Sequence, residues 1–330
     1  MRLLMLINSL DYLGENDAAL SSAFRRFGWQ VILGEINAIA ADDYRYFTRG
    51  VLIQDNAEPY SPGSVAPGSR ETYFLDECQL IWVLGAPQAR VCRDVWRMLW
   101  LASRQTPFVN SIEGLVFLNS KHAMGYLVPK ENRAFSYISN DFSSLWDRYQ
   151  QARDQLWVAK PPSSGCGQNV FLLPQNGRNV RTILQCLTGN TVAQRGMDYG
   201  GLGGFKAEYA ILQTFVPEVA HGEKRIIITC GKVVAWHGRQ GHPNDHRSNI
   251  TQGGKAIPVE LNSNEIKLAE LIGQKLMAHG INFGAIDMAY PHIIEFDLDF
   301  PGGLYDAKLV SGVDRSDHVA KLIIARFKAH

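Results

Sequence analysis

The spacing of hydrophobic residues near the start of the chain predicts a β-α-β unit. The apolar run 3–7 predicts a buried first strand. The next segment has apolar residues at the i, i+3, i+4 and i+7 spacing of a helix, at Leu20, Ala23, Phe24 and Phe27. Asn16 can cap the start of this helix, and Gly28 follows its end. A second apolar run at 30–33 predicts the next strand.

The pattern continues as strands alternating with helices up to about residue 112. Further strands are predicted at Val51–Gln54, Leu80–Leu84 and Phe108–Asn110, with a helix at Val91–Ser103. Such alternation is typical of a mostly parallel sheet covered on both faces. The segment Glu58–Ser69 is rich in Pro, Gly and Ser, which indicates a surface loop.

Beyond residue 112 the pattern changes to strands joined by short connections. A strand at Leu156–Lys160 leads through the small-residue loop Ser163–Gly167 to a strand at Asn169–Leu173. This strand–loop–strand order lacks the helix and the Gly-Lys-Ser/Thr ending of a P-loop. Three more strands are predicted at Ala210–Phe215, Arg225–Cys230 and Val233–Trp236, the last two joined by a tight turn at Gly231-Lys232.

The last part of the chain reads as helix, hairpin and helix. A helix at Asn264–His279 begins with Asn262 and Glu265 spaced as a capping box. The strands Phe283–Ala289 and Ile293–Phe300 form a hairpin. After a loop, the final helix has a buried stripe formed by Val319, Leu322, Ile323 and Phe327.

The hairpin contains the most informative short segment, Glu295–Phe300. Its strict alternation places three carboxylates on one face. If Tyr290–His292 forms a three-residue turn, Asp287 lies opposite Glu295, with Cβ atoms ~5 Å apart. Two like charges this close need compensation, and a divalent cation with oxygen ligands would provide it. The alternative is a solvated acidic face on an edge strand.

Basic and glycine-rich segments offer candidate anion sites. Lys160 ends a strand next to the loop 163–167, whose backbone N–H groups could approach a phosphate. Lys121 taken alone reads as an ordinary solvated lysine, and the polar run 242–255 as either a surface loop or an anion-binding loop. His242 and His246 are four apart, but without a helical context they do not indicate zinc.

Composition excludes several classes of protein. With 330 residues, a net charge of +1 and 46% hydrophobic residues, the chain shows neither a nucleic-acid footprint nor a membrane-seeking surface. Five scattered cysteines indicate neither a disulfide framework nor a zinc site. The first apolar run is too short for a signal peptide and is followed by acidic residues. We therefore expect a cytoplasmic protein.

These separate signals form an ordered set that resembles bacterial glutathione synthetase and its ATP-grasp relatives. The resemblance runs from about Val109 to Pro301 and is clearest over Leu212–Pro301. In chain order, the set is Lys121, Lys160 with its loop, Gln213–Pro217, Glu223–Arg225, Arg247–Asn249, Gly253-Gly254, Asp287 and Glu295–Asp297.

The resemblance implies an α/β ATP-grasp fold, α+β in its C-terminal part. It divides the chain into a Rossmann-like pre-ATP-grasp domain at 1–115, a central ATP-binding subdomain at 116–205 and a catalytic subdomain at 206–330. ATP and two Mg²⁺ ions are the implied cofactors, and relatives are usually dimers or tetramers.

The resemblance also implies a role for each residue of the set. Lys121 and Lys160 would contact the ATP phosphates from two sides, and Glu223 would hold the ribose. The segment that would hold adenine through its backbone is Gln213, Thr214, Phe215 and Val216. The flap over the phosphates would include Ser163, Ser164, Gly165 and Gly167.

The remaining implied roles concern metal and catalysis. The metal ligands would be Asp287, Glu295 and Asp297. Arg225 would face the transferred phosphoryl group, while Arg247 and Asn249 would help to bind phosphate or the acceptor. The catalytic set is then Arg225, Lys160 and Arg247.

The chain departs from the family on the substrate side. Asp297 stands where the family usually has Asn, and Asp299 where it tends to have a small hydroxyl residue. Pro301-Gly302-Gly303 replaces a segment that helps to position the peptide substrate. These departures predict a relative of glutathione synthetase that joins a different carboxylate and amine.

The predicted function is an ATP-dependent carboxylate–amine ligase that works through an acyl phosphate on an amino acid or small peptide. One alternative is an ATP-grasp module that binds nucleotide or peptide without turnover. Another is a phosphotransferase that stops at a phosphorylated product. A dinucleotide-binding oxidoreductase is disfavoured because no G-x-G-x-x-G follows the first strand. No residue is assigned as the base for the amine.

Overall fold

Three β-sheets, each from a separate part of the chain, organise the protein. The computed structural model describes residues 1–53, 63–66, 68–152, 154–189, 208–242, 245 and 247–329. The predicted loop at 58–69 lies partly outside these residues. Within them, the sheets use strands from 2–84, 136–214 and 223–297.

The first sheet has a parallel centre and an antiparallel edge. Its strands are β1 (Arg2–Ile7), β2 (Gln30–Glu35), β3 (Ala40–Asp42), β4 (Arg45–Leu52), β5 (Glu71–Phe74) and β6 (Leu80–Leu84). They lie in the order β3-β4-β2-β1-β6, with β5 also paired to β4. Strand β1 is parallel to β2 and β6, whereas β4 runs antiparallel to β2. Residues 51 and 52 of the predicted strand at 51–54 are the end of the longer β4, residue 54 lies outside the described residues, and 108–110 makes isolated bridges only.

The first two helices of this part were predicted, and two short helices after residue 111 were not. They are α1 (Glu15–Arg26), α2 (Cys92–Ala102), α3 (Ile112–Leu118) and α4 (Met124–Leu127). Helix α1 starts two residues earlier than predicted, because Gly14 rather than Asn16 is the N-cap. The Asn16 amide instead donates to Pro301 O at 2.7 Å, so its polar group joins distant parts of the chain.

The central sheet is antiparallel throughout and has its own helices. Strands β7 (Ser136–Ser139), β8 (Trp157–Lys160), β9 (Phe171–Leu173) and β10 (Ala210–Thr214) lie in the order β7-β10-β8-β9. Helices α5 (Phe142–Gln151) and α6 (Val180–Thr188) pack on it around their own apolar cluster.

The third sheet is also antiparallel. Its strands are β11 (Glu223–Thr229), β12 (Lys232–Gln240), β13 (Lys255–Ile257), β14 (Phe283–Ala289) and β15 (His292–Asp297), in the order β13-β12-β11-β14-β15. Helices α7 (Ser263–Ala278), α8 (Leu304–Ser311) and α9 (Ser316–Lys328) accompany it. The Asn262–Glu265 capping box of α7 is confirmed, with Asn262 Oδ1 accepting from Glu265 N at 3.0 Å.

Both predicted hairpin turns differ from the structure by one residue. Strand β11 turns into β12 through Cys230-Gly231, both at positive φ (48° and 73°), rather than through Gly231-Lys232. In the acidic hairpin, Ala289 pairs with His292, so Tyr290-Pro291 is a two-residue connection. A bulge between Asp287 and Met288 then brings Asp287 opposite Glu295, as predicted.

The first and third sheets share their apolar cores. Leu4 and Leu6 belong to one cluster with Ile226 and Ile286, and Trp82 belongs to another with Phe283. The Trp82 and Phe283 rings meet edge to face with centroids 5.1 Å apart. This shared packing fixes the first sheet against the third, which forms the floor of the site described below.

The three-part division of the chain at 115 and 205 remains a proposal. Residue 115 lies inside α3, and 205 lies outside the described residues. The sheets assign β10 to the central part, because Ile211 pairs with Lys160 of β8. No helix in the described part of the chain is long and apolar enough to cross a membrane.

Removing the Trp82 ring should destabilise the protein. Trp82 is fully buried, so Trp82→Ala should lower the free energy of unfolding by about 3–5 kcal/mol through lost burial and a cavity. Urea unfolding followed by circular dichroism measures the change. Phe117→Ala is the control, since Phe117 is 73% exposed and its removal should change stability by less than about 0.5 kcal/mol. Equal losses in the two variants would contradict the shared core.

Candidate active site

Lys160 lies at the end of β8, where the central sheet faces the third sheet. Its side chain is buried, and its strand neighbour on β10 is Ile211. Burial lowers the pKa of the Lys160 ammonium to about 8, helped by nearby Lys121 and opposed by Glu295 and Glu223. An anionic partner, such as a phosphate, would stabilise the charged form of this buried ammonium.

Lys121 links the loop 163–167 to strand β15 of the third sheet. It begins a short 3-10 helix capped by Ser120, and its side chain is buried. Its Nζ donates to Ser164 O and to Glu295 Oε1, both at 2.7 Å. The structure therefore corrects the solvated reading of Lys121 alone, since the ammonium lies inside the site.

The loop 163–167 is held against a second loop at 247–252. Arg247 donates to Gly167 O at 3.0 Å, and Gln252 donates to Cys166 O at 3.0 Å. Gly167 has φ +68°, and a Cβ there would lie 2.5 Å from Asn249 Oδ1. Glycine adopts this φ without strain, and any larger residue would push Asn249 away, so the close contact between the loops depends on Gly167.

The segment Gln213–Val216 comprises the last two residues of β10 and the two that follow, and it lines the site together with Val158 and Ile294. The backbone N–H groups of Thr214 and Phe215 already donate to Phe135 O and Leu156 O, at 3.0 and 2.9 Å. Hydrogen bonds from this segment to an adenine would therefore have to come from its other backbone atoms.

The floor of the site is one face of the third sheet. Register places Arg225 between Asp287 on β14 and His237 on β12, and Glu223 opposite Arg239. Because alternate residues of a strand share a face, the polar side chains of four strands converge here. The opposite face carries apolar residues that pack on α7.

Arg225 is the centre of a buried ion network. Its Nε and Nη2 donate to the two oxygens of Asp287 at 2.6 and 2.9 Å, and its Nη1 donates to Asp297 at 3.0 Å. Nη1 of Arg239 lies 3.2 Å from Glu223 Oε1 and 3.0 Å from Asp287 Oδ2. The network thus links Glu223 to Asp297 through alternating charges.

The network sets the protonation of its carboxylates. Burial acts to raise the pKa of Asp287, but the guanidinium groups of Arg225 and Arg239 outweigh it, and the pKa is lowered. Burial raises the pKa of Glu223 to about 7, and repulsion from Asp287 adds to this. Burial also raises the pKa of Asp297 to about 6, against the effect of Arg225.

One cavity of about 90 Å³ brings most of the predicted residues together. The predicted site residues that line it are Lys121, Lys160, Ser164, Gly167, Gln213, Thr214, Phe215, Val216, Glu223, Arg247, Asn249, Asp287 and Glu295. Arg225 and Asp297 adjoin it through Asp287, whereas Ser163 and Gly165 are not among the lining residues. Small-molecule sites usually enclose ~300–1,000 Å³, so the cavity as it stands is smaller than a nucleotide site requires.

The three predicted metal ligands differ in their availability. Asp287 is 4% exposed and both its oxygens accept from guanidinium groups, so a metal ion would compete with Arg225 and Arg239 for this carboxylate. Side chains of Glu295 and Asp297 are 26% and 30% exposed and lie two residues apart on β15. Mg²⁺ commonly binds one or two carboxylates together with phosphate and water, and these two fit that chemistry. The described residues contain no group of three His, Cys, Asp or Glu side chains arranged for a metal ion.

Sequence reasoning missed two members of the site and the role of a third. Arg239 and His237 alternate on β12 and were not predicted. Ser248, which was in the ordered set without a role, donates a hydrogen bond to Glu223. The hairpin between β11 and β12 was predicted, but its predicted turn pairs Cys230 with Val233, and that register would have placed Gln240 opposite Glu223. The observed turn lies one residue earlier and a register shift follows between Ile227 and Ile228, and together these place Arg239 opposite Glu223.

The model of the prokaryotic glutathione synthetase ATP-grasp domain matches residues 130–311, just over half of the chain. The chain belongs to this family. It is therefore an ATP-grasp ligase, of the class that forms carbon–nitrogen bonds and releases ADP, and the family uses ATP and Mg²⁺. The predicted resemblance and fold class are confirmed.

Relatives of the full length support this membership. The chain is 22% identical to a glutathione synthetase of Synechocystis sp. over 97% of this chain and 98% of the relative. It is 24% identical to one of Gloeobacter violaceus over 98% and 97% of the two chains. The ATP-grasp ligase is thus related to these enzymes along its whole length, at low identity.

Solved structures confirm the fold. D-cycloserine synthetase DcsG is similar with a TM-score of 0.66 at 12% identity, over 99% of this chain and 100% of that one. Macrocyclase MdnC of Microcystis aeruginosa, bound with precursor peptide MdnA, is similar with a TM-score of 0.60 at 15% identity, over 98% and 99%. At these identities the likeness concerns the fold alone.

Removing the buried charge of Lys160 should stabilise the ATP-grasp ligase. Its pKa is depressed in the folded state, so below pH 8 folding bears the cost of a buried ammonium. As pH rises from about 8 towards 10.5, the folded protein loses this proton first, and the cost falls. We expect the free energy of unfolding of Lys160→Met at pH 7 to be ~1–3 kcal/mol larger than that of the wild type.

Urea unfolding of wild type and Lys160→Met at pH 7 and pH 9.5 measures the difference, which should shrink at the higher pH. Titrating groups remote from Lys160 are common to both proteins and cancel, whereas Glu223 interacts with Lys160 and contributes to the difference near pH 7. Lys232→Met is the control, because Lys232 lies exposed at the hairpin end. A difference that stays constant with pH would contradict the depressed pKa.

Proposed function

We propose that the chain joins the carboxylate of an amino acid or small peptide to an amine, through an acyl phosphate made with ATP. The observation that carries the proposal is the cavity that combines Lys121 and Lys160 on one wall, Glu295 on the floor and an apolar slot beside them. This combination suits a nucleotide whose phosphates lie next to a metal-binding strand.

The position of ATP follows from the chemistry of the cavity walls. The apolar slot formed by Val158, Val216 and Ile294 suits the adenine ring. Glu223 would accept from the ribose hydroxyls. Lys121 and Lys160 would contact the phosphates, with the loop 163–167 closing over them and Arg247 and Asn249 supporting the loop.

Glu295 and Asp297 would hold Mg²⁺, and two ions is the number that the resemblance implies. When bound, Mg²⁺ would neutralise charge on the phosphate oxygens. Asp287 would act beside the metal by orienting Arg225. This assignment changes Asp287 from a metal ligand to a residue that positions the catalytic arginine.

The reaction would proceed in two steps. A carboxylate oxygen of the first substrate attacks the γ-phosphorus, the bond to the β-phosphate oxygen breaks, and ADP leaves. The amine nitrogen then attacks the acyl carbon, inorganic phosphate leaves, and the nitrogen loses a proton. Arg225, with Lys160, would balance negative charge that develops in both steps, and Arg247 would hold the loop in place.

The substrate side of the site differs from that of glutathione synthetase. Gly302 O accepts from Arg225 Nη1 at 3.1 Å, and Gly303 lies against Arg225 and His237. The segment 301–303 thus helps to hold the side chain of Arg225 in position. We infer a different acid and amine pair, and a homodimer or homotetramer as in relatives.

The proposal is tested by incubating the protein with ATP, Mg²⁺ and pairs from a panel of amino acids and dipeptides. ADP and phosphate should appear only with a particular acid–amine pair, alongside a product lighter by one water than their sum. Mass spectrometry of each mixture identifies the product. Phe117→Ala is the matched control for a substitution outside the site.

Other outcomes point to other functions. ATP binding without turnover across the panel would favour a binding module. A stable phosphorylated product that persists when amines are supplied would favour a phosphotransferase. Absence of ATP binding would overturn the proposal altogether.

Replacing the guanidinium fork of Arg225 should reduce turnover. Arg225→Lys keeps the charge but cannot bind both oxygens of Asp287 while reaching Asp297 and Gly302, so we expect kcat to fall by about 10²–10³. Binding of ATP should change much less, because Lys121 and Lys160 contact the phosphates. Steady-state kinetics separate kcat from KM, with Lys232→Met as the control for loss of a nearby cation. Unchanged kcat in a folded Arg225→Lys variant would remove Arg225 from catalysis.

A further inference from the structure

Strand β15, on which we place the metal ligands, ends at Asp297. This residue pairs with Ala285 of β14, and Leu298 comes next. Leu298 is fully buried, so its backbone N–H and C=O need hydrogen-bond partners inside the protein. Both partners are side chains of a segment distant in the sequence, Asn119 for the N–H and Asn110 for the C=O.

Asn110 ties the two strands of the hairpin together where they part. Its Nδ2 donates to Phe283 O at 2.7 Å and to Leu298 O at 3.1 Å. Its Oδ1 accepts from Asn282 N at 2.8 Å and from Phe283 N at 2.9 Å. Two donors and two acceptor positions are the full capacity of an amide, so all of it is used on this backbone. Asn110 is also fully buried, and it therefore acts as a structural anchor of the hairpin.

Asn119 holds the peptide unit that follows Asp297. It is the C-cap residue of α3, and its Oδ1 accepts from Leu298 N at 3.0 Å. The N–H of Leu298 and the C=O of Asp297 belong to one planar peptide unit, so this bond limits rotation at ψ of Asp297. Pairing with Ala285 fixes the backbone of Asp297 within the sheet. Together the two restraints set the direction in which the Asp297 side chain leaves the strand.

The residues that follow Asn119 reach the same strand at the other proposed ligand. Lys121 Nζ donates to Glu295 Oε1 at 2.7 Å. Asn119 and Lys121 thus contact β15 and its continuation on both sides of Asp297. The two contacts differ in kind, because Lys121 takes a carboxylate oxygen whereas the Leu298 bond of Asn119 is made to the backbone. Only the backbone bond can persist unchanged when a cation binds the carboxylates.

Asp299 belongs to the same contact. The Asn119 amide also donates a hydrogen bond to the Asp299 carboxylate. A carboxylate only accepts and a backbone N–H only donates, so a single orientation of the amide satisfies both neighbours. Asp299 therefore fixes which end of the Asn119 amide faces Leu298.

We propose that Asn119 is a positioning residue for the metal ion, holding the backbone after Asp297 so that this carboxylate points at the cation bound with Glu295. Asp299 orients its amide. The inference rests on the proposed metal site and adds two residues to it. Removal of groups that orient a metal ligand typically costs about 10–100-fold in metal affinity.

Binding of Mn²⁺ measures the effect, because Mn²⁺ takes the same oxygen ligands as Mg²⁺ and its free concentration is read by electron paramagnetic resonance. The full-length protein is titrated with Mn²⁺ in the presence of a non-hydrolysable ATP analogue. Asn119→Leu keeps the size of the side chain and removes both bonds, so we expect Mn²⁺ to bind about 10–100-fold more weakly.

Two further measurements separate positioning from general damage to the site. Urea unfolding shows whether each variant is folded. Isothermal titration in EDTA gives the affinity for the analogue without metal, which should change by less than about threefold in Asn119→Leu, because Lys121 and Lys160 still contact the phosphates. A loss of this affinity as large as the loss of Mn²⁺ affinity would overturn the inference.

The double variant Asn119→Asp, Asp299→Asn exchanges donor and acceptor between the two side chains. The carboxylate at position 119 can accept from Leu298 N and from the amide at position 299, and the net charge stays that of the wild type. We expect its Mn²⁺ affinity to lie within about threefold of the wild-type value. A loss as large as that of Asn119→Leu would contradict the proposed bonds.

Asn37→Leu is the matched control. Asn37 is half-buried like Asn119, and its Oδ1 also accepts from a backbone N–H, that of Gln88 at 2.8 Å, but between two loops of the first sheet. It should bind Mn²⁺ as the wild type does. Asp297→Ala is the reference for loss of the ligand itself. If Asp297→Ala weakens Mn²⁺ binding and Asn119→Leu does not, the inference alone fails; unchanged binding in Asp297→Ala would overturn the metal site of the proposed function, and the inference with it.

Discussion

The bidentate salt bridge between Arg225 and Asp287 is the interaction on which the site depends. Both side chains are almost fully buried, and a buried ion pair repays its desolvation only when its geometry is close and its remaining groups are bonded. Here Asp287 also accepts from Arg239, while Arg225 also binds Asp297 and Gly302. The pair therefore fixes the positions of residues on four strands and on the segment after β15.

The same salt bridge explains how carboxylates can lie side by side on the third sheet. Asp287 and Glu295 are directly opposed, an arrangement that is unfavourable without compensation. The structure compensates each with a different cation, Arg225 for Asp287 and Lys121 for Glu295. Since Lys121 also holds Ser164, neutralisation of the strand and closure of the loop are coupled through one ammonium group.

Much of the fold could be predicted from the sequence because its signals are local. The capping box of α7, the apolar stripe of α9 and the alternation of β15 each depend on neighbouring residues. The polar residues of the site could be predicted mainly from their order along the chain, because no single one, such as Lys121, showed from the sequence that it is buried. The placement of Arg239 required both the correct turn and the bulge near Ile227, which alternation along the strand does not reveal.

The rest depended on contacts between distant residues. Asn16 has the composition of a helix cap, yet its amide binds Pro301, and no local pattern reveals that choice. The turn after Ala289 and the bulge at Asp287 shift the register in compensating ways, so the pairing was right although the turn was wrong. The hydrogen bonds from Arg225 and Arg239 to Asp287 likewise depend on the pairing of strands β12, β11 and β14.

The separation of the apolar cores has a consequence for motion. The first and third sheets share two clusters, whereas the central sheet packs around its own cluster with α5 and α6. Sliding the first sheet past the third would expose Trp82 and Phe283. Moving the central sheet would break, among the apolar clusters, only the small one formed by Ala134, Val216 and Ala289. Relative motion of the central sheet therefore costs less apolar burial than relative motion of the first and third sheets.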